Sequence, residues 1–183
     1  MGAQSVALIG FMGAGKSSVG FLLAPKLRMV FVDLDEAISA EAKMSVEAIF
    51  AAEGEEGFRE RESRALKAAL KAGGKVLSCG GGVVLRAANV KLLRGRCRVF
   101  LLRISREKVL ERLAAADGRP LLHGGELEQT VDRLLQERSK IYLEAAHEVI
   151  DADEMSPEEI VEEIAARWLR YRSIRQEGNT PSI

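Results

Sequence analysis

Eight residues near the start of the chain, Gly10-Phe11-Met12-Gly13-Ala14-Gly15-Lys16-Ser17, fit the pattern GxxxxGK[ST] at every fixed position. The residue types suit one task, holding the phosphates of a nucleotide. Glycines let the main chain turn tightly, so that N–H groups around Gly13, Ala14 and Gly15 converge on phosphate oxygens. The N-terminal end of a following helix adds positive potential. Lys16 carries a full charge to the outer phosphates, and the Ser17 hydroxyl is suited to a magnesium ion, Mg2+. Ser18 is either a further phosphate contact or an ordinary helix residue. The plain alternative for the whole stretch is a glycine-rich turn with an exposed lysine. The context disfavours it, because the pattern closes an apolar run and opens an amphipathic one.

Other chemistry-bearing residues lie downstream. Asp33 and Asp35 end a second apolar run, and in extended chain residues two apart point the same way. Both carboxylates are therefore expected to face one cleft, Asp33 orienting the metal through water and Asp35 holding, or also deprotonating, an attacking hydroxyl. As an alternative, these acids cap the next helix. Gly80-Gly81-Gly82 end a third run, either as a flexible turn or as bare backbone beside a ligand. Arg138 falls on the apolar stripe Leu127, Val131, Leu134, Leu135 and Tyr142, where a charge is costly unless something anionic meets it. Arg59, beside Phe58 and three residues before Glu62, raises the same question. Two arginines converging on a cleft suit a carboxylate, whereas internal salt bridges would account for each separately. Arg119 sits in a loop bounded by glycine and proline, about 116–125, which could close over phosphates or simply be solvated. Arg112 precedes that loop.

The elements that must position these groups alternate. Apolar runs at Ser5–Ile9, Met29–Val32, Lys75–Cys79, Arg98–Leu102 and Glu148–Ile150 read as strands. Helical stretches separate them: Lys16–Arg28, then Glu36–Ala52 and Glu55–Lys71, then Ala87–Arg94, Ser105–Ala115 and Glu126–Ala146. A last helix opens at Ser156-Pro157 and is expected to reach Tyr171, with 172–183 a frayed polar tail. This order predicts one α/β domain over 1–171, with a five-stranded parallel sheet and helices on both faces. In open sheets of this kind ligands bind beyond the carboxyl ends of the strands.

A length of 183 residues suits a single domain, and 30% charged residues is an ordinary globular composition. With 27 basic and 27 acidic residues and no dense basic run, broad binding to nucleic acid or to a membrane surface is disfavoured. Two cysteines, Cys79 and Cys97, form no CxxC pair and suit a reduced compartment. Val6–Val19 is apolar, but it has no basic leader and Lys16 interrupts it, so a cytoplasmic protein is expected.

Taken together, the motifs identify a resemblance to bacterial shikimate kinases from about Val6 to Ile164. It is carried by GFMGAGKSSVG at Gly10–Gly20, DLD at Asp33–Asp35, FRERES at Phe58–Ser63, GGG at Gly80–Gly82, RPLL at Arg119–Leu122 and RSKIY at Arg138–Tyr142. The resemblance implies a P-loop NTPase fold of nucleoside-monophosphate-kinase type. It also implies transfer of phosphate from ATP, with Mg2+, to the 3-hydroxyl of shikimate, in a monomer. Acceptor binding falls to Asp35, Arg59, Arg138 and Gly80, Gly81 and Gly82. Catalysis falls to Asp35, Lys16 and Arg119. Arg112 and the segment near Pro157 would flank adenine. Ser18 and Phe21 depart from the family's usual residues. The rivals are a kinase for gluconate or a nucleotide, against which the Arg59–Arg138 pair argues, and a nucleotide-binding module without turnover.

Overall fold

A computed structural model describes residues 4–116 and 125–177. Within them five strands form one sheet: β1 Ser5–Ile9, β2 Val30–Asp33, β3 Lys75–Ser78, β4 Cys97–Arg103 and β5 Glu148–Asp151. All neighbours are parallel, in the order β2-β3-β1-β4-β5. Every residue of β1 is buried, as the central strand of a sheet covered on both faces must be. The helices are α1 Lys16–Leu27, α2 Leu34–Ala42, α3 Val46–Ala69, α4 Ala87–Arg96, α5 Arg106–Ala116, α6 Gly125–Ala145 and α7 Pro157–Glu177. α1 packs on α7 and on β2 and β3, while α4 and α6 pack on β4. This is the three-layer architecture of P-loop NTPases of the nucleoside-monophosphate-kinase type.

Register aligns the strand ends. Ser78 of β3 pairs with Leu8 of β1 on one side and Asp33 of β2 on the other. The turns after β1, β2 and β3 therefore leave the sheet at one level, side by side. α1 has no side-chain cap and no acid in its first turn, so its first N–H groups stay free for an anion. α2, by contrast, is capped by Asp33, and α3 by Ser45.

Three features differ from expectation. Asp35 does not extend β2 but lies in the first turn of α2, because the Asp33 side chain accepts from the N–H of Asp35 and Glu36 and starts the helix there. The last helix runs past Tyr171 to Glu177, its final turns tied back by Arg175, which donates to Gln4 Oε1 at 3.1 Å. Leu127 is exposed, whereas Val131 and Tyr142 of the same stripe are buried. The expected break before Glu55 is present within α3 at Gly54, at φ 70° and ψ −176°. The expected lid, with Arg119, lies outside the described residues apart from its two ends.

Candidate active site

The phosphate loop joins β1 to α1 through backbone only glycine adopts readily: φ is 147° at Gly10, 76° at Gly13 and 83° at Gly15. A Cβ on Gly10 would stand 2.5 Å from the Leu102 carbonyl oxygen. Lys16 is buried, and its Nζ donates to the carbonyls of Gly10 at 3.0 Å and Phe11 at 2.8 Å. It is thus folded back into its own loop. Burial pushes the ammonium below its ordinary value, against the attraction of Asp35, Cys79 and Asp33. Above the loop, Arg112 Nη1 donates to the Gly13 carbonyl at 2.9 Å, and the side chain also lies against Gly15. Ser18 is exposed.

Ser17, Asp33 and Ser78 meet where α1, β2 and β3 come together. The Ser17 hydroxyl lies 2.6 Å from Asp33 Oδ2 and 3.1 Å from Ser78 Oγ. Asp33 Oδ1 is occupied in capping α2, which fixes the direction of Oδ2. Oxygen donors of this kind fit Mg2+. Among the described residues no three His, Cys, Asp or Glu side chains form a metal cage.

Beside the phosphate loop opens a cavity of about 520 Å³, lined by Asp35, Arg59, Glu62, Gly80, Gly81, Gly82 and Arg138, with an apolar wall that includes Phe50, Phe58 and Leu134. The sequence-predicted acceptor residues therefore do converge. Arg59 is buried against the stacked rings of Phe50 and Phe58, its Cζ 6.0 Å and 5.5 Å from their centroids. Its Nη1 donates to Glu62 at 3.2 Å and its Nη2 to Glu55 at 3.2 Å. A Cβ on Gly82 would fall 2.2 Å from the guanidinium carbon, so glycine there leaves room for Arg59. A Cβ on Gly80 would fall 2.7 Å from Asp35 Oδ1 and 2.9 Å from Glu62 Oε1. The Tyr142 hydroxyl donates to the Gly81 carbonyl and ties α6 to this turn.

Among the described residues, four buried side-chain polar atoms have no hydrogen-bond partner: Asp35 Oδ1, Arg59 Nε, Glu62 Oε1 and Arg138 Nε. All four belong to residues lining this one cavity. Buried polar groups are normally satisfied, so their clustering marks a place prepared for a polar ligand. Desolvation, reinforced by Asp33, raises the Asp35 carboxyl above its ordinary range, against Lys16 and Arg59. Desolvation also raises Glu62 to about 7 despite the pull of Arg59. A carboxylate held near a lysine and a cavity in this way is suited to accept a hydroxyl proton.

One expected member is not part of the acceptor cavity. Pro157 is an exposed first residue of α7. Its segment is tied to the end of β4 and the start of α5, through Ala152 N–H to the Arg103 carbonyl and Ser105 N–H to Asp153, and not to the phosphate loop. Conversely, sequence reasoning left Ser78, Glu55 and Glu62 out of the site. Glu62 was legible as a partner for Arg59, at i+3, but its complete burial comes from packing against the turn after β3.

A nucleotide-phosphate loop, a corner of oxygen donors at Ser17, Asp33 and Ser78 and an adjoining pocket with two arginines and a carboxylate define an ATP-dependent small-molecule kinase. The comparisons narrow this further: the family model described as Shikimate kinase matches residues 12–168, and the chain belongs to that family. A shikimate kinase of Thermodesulfovibrio yellowstonii is 41% identical over 167 residues, covering 91% of this chain and 96% of that protein. One of Pseudomonas savastanoi pv. phaseolicola is 42% identical over 164 residues, covering 90% and 95%. The solved shikimate kinase of Acinetobacter baumannii in complex with shikimate superposes with a TM-score of 0.84 at 34% identity, covering 92% of this chain and 94% of that one.

Proposed function

We propose that this chain transfers the γ-phosphoryl group of ATP to the 3-hydroxyl of shikimate, giving shikimate 3-phosphate and ADP in the route to aromatic amino acids. The observation that carries the reading is the convergence of Arg59, Arg138 and Asp35 on one cavity beside the phosphate loop. The guanidinium groups suit the acceptor's carboxylate, and Asp35 suits its reacting hydroxyl. Lys16 leaves the carbonyls of Gly10 and Phe11 for the outer phosphates when ATP enters. The unoccupied N–H groups at the start of α1 and the loop glycines hold the phosphates in line with the hydroxyl. Arg112 and the segment at Pro157 flank the adenine, and Arg119 adds charge from the lid.

Ser17 and Asp33 would hold Mg2+, Asp33 through water. The ion would neutralise phosphate charge as it gathers in the transition state. Transfer is direct, with no phosphorylated protein intermediate, in a cytoplasmic monomer. Among the described residues no helix is long and apolar enough to cross a membrane. Coupled ADP-release assays with shikimate, gluconate and nucleoside monophosphates, with the product identified by mass, test the reading. Turnover is expected with shikimate. Turnover confined to gluconate or a nucleotide would refute it, and ATP binding without product from any acceptor would favour a regulatory module.

A further inference from the structure

Arg59 has two carboxylate partners of opposite character. Glu62 is completely buried and holds Nη1, whereas Glu55 holds Nη2 with 64% of its side chain exposed. Glu62 has nowhere to go; Glu55 can return to water at little cost. The edge of a guanidinium that grips a carboxylate side-on consists of Nε and Nη2. In this same chain Arg61 uses that edge to hold both oxygens of Glu53. On Arg59 the edge is half used: Glu55 takes Nη2, and buried Nε has no partner. Glu55 also lines the acceptor cavity and directly follows Gly54, the positive-φ break in α3. No atom lies within 4 Å of where a Gly54 Cβ would be, so glycine is required there by the backbone angle rather than by lack of room.

We propose that Glu55 is a resident counter-ion of Arg59, which the acceptor's carboxylate displaces on binding. The inference rests on the proposed acceptor being a carboxylate. The exchange replaces one contact by a side-on pair and satisfies Nε, while Glu55 swings out from the turn at Gly54. The internal carboxylate keeps a buried cation paired in the free protein and so competes with the ligand.

The test is calorimetric titration of shikimate into the full chain, wild type, Glu55→Gln and Glu55→Ala, with the same series in an Arg59→Lys background. Removing the competitor should tighten binding by about two- to fivefold, the range an exposed ion pair spans, and raise kcat/KM correspondingly. The gain should vanish in the Arg59→Lys background, where the side-on edge is gone. If Glu55 merely positions Arg59, binding weakens instead. Weaker or unchanged binding in the Glu55 variants, with wild-type binding intact, overturns this inference alone. A wild-type chain that binds no shikimate overturns it together with the proposed function.

Discussion

Gly82 offers a perturbation whose size follows from the geometry. Its backbone sits at φ −99° and ψ −4°, which alanine adopts without strain, so Gly82→Ala acts only through the new methyl group. That carbon would stand 2.2 Å from Cζ and Nη1 of Arg59 and 2.3 Å from Nη2, whereas ordinary contact begins at 3.4 Å. The guanidinium must retreat by the difference, at least 1.2 Å. A retreat of that size disturbs the geometry that holds the guanidinium, with Glu62 at 3.2 Å and the Phe58 ring 5.5 Å away. A hydrogen-bonded charge interaction is worth about 1.5–3 kcal/mol, or about ten- to a hundredfold in affinity. We expect the acceptor KM of Gly82→Ala to rise by about that factor, with the KM for ATP close to wild type and the thermal midpoint lowered, because the buried Arg59–Glu62 pair is disturbed. Steady-state kinetics against each substrate, with a thermal melt, make the comparison. An acceptor KM within about twofold of wild type would show that Arg59 does not grip the acceptor from its present position.

Other expected outcomes follow from the same site. Asp35→Asn should lower turnover by about 10²–10⁴-fold, the usual contribution of a positioned base, while ATP binding measured by calorimetry persists; near-normal turnover would remove its role. Arg138→Lys should raise the acceptor KM by about tenfold, because an ammonium cannot form the planar fork, and an equal loss for ATP would indicate general distortion instead. Glu62 titrates near 7 in the folded chain against an ordinary 4.5. Between those values the folded state holds a proton that the unfolded state has released. Its contribution to stability is therefore complete below about 4.5 and lost as pH rises through about 7. Glu62→Gln should remove a slope of up to about 1.4 kcal/mol per pH unit from urea-unfolding curves across that window. Parallel pH profiles for the two proteins would contradict the assignment.

Local pattern carried much of this molecule. The phosphate loop was legible because its function demands glycines at fixed positions and a lysine and hydroxyl at the helix start, all within one turn of chain. The five strands and their order of appearance were legible from apolar runs, four of them closed by glycine or aspartate and the fourth strand running into Arg103 and Ile104. Arg138 was legible as an anomaly, a cation on a stripe that otherwise faces the core. Asp35 lines the cavity beside the phosphate loop, but from helix α2 rather than from extended chain. The extended geometry assumed for Asp33–Asp35 fails because capping by Asp33 turns the chain into α2 one residue after the strand.

By itself the sequence determined which groups sit at the ends of the first three strands, since side-chain period and turn chemistry are properties of neighbouring residues. Only the tertiary structure decided that Ser78 completes the corner with Ser17 and Asp33, because that contact spans 61 residues and depends on β3 lying between β1 and β2. It likewise decided that Glu62 is wholly buried and Glu55 open to water, although both are spaced to pair with Arg59 along one helix. Spacing along a helix says which side chains can meet. Which of them loses its water depends on what packs above, and here that is a turn from another strand.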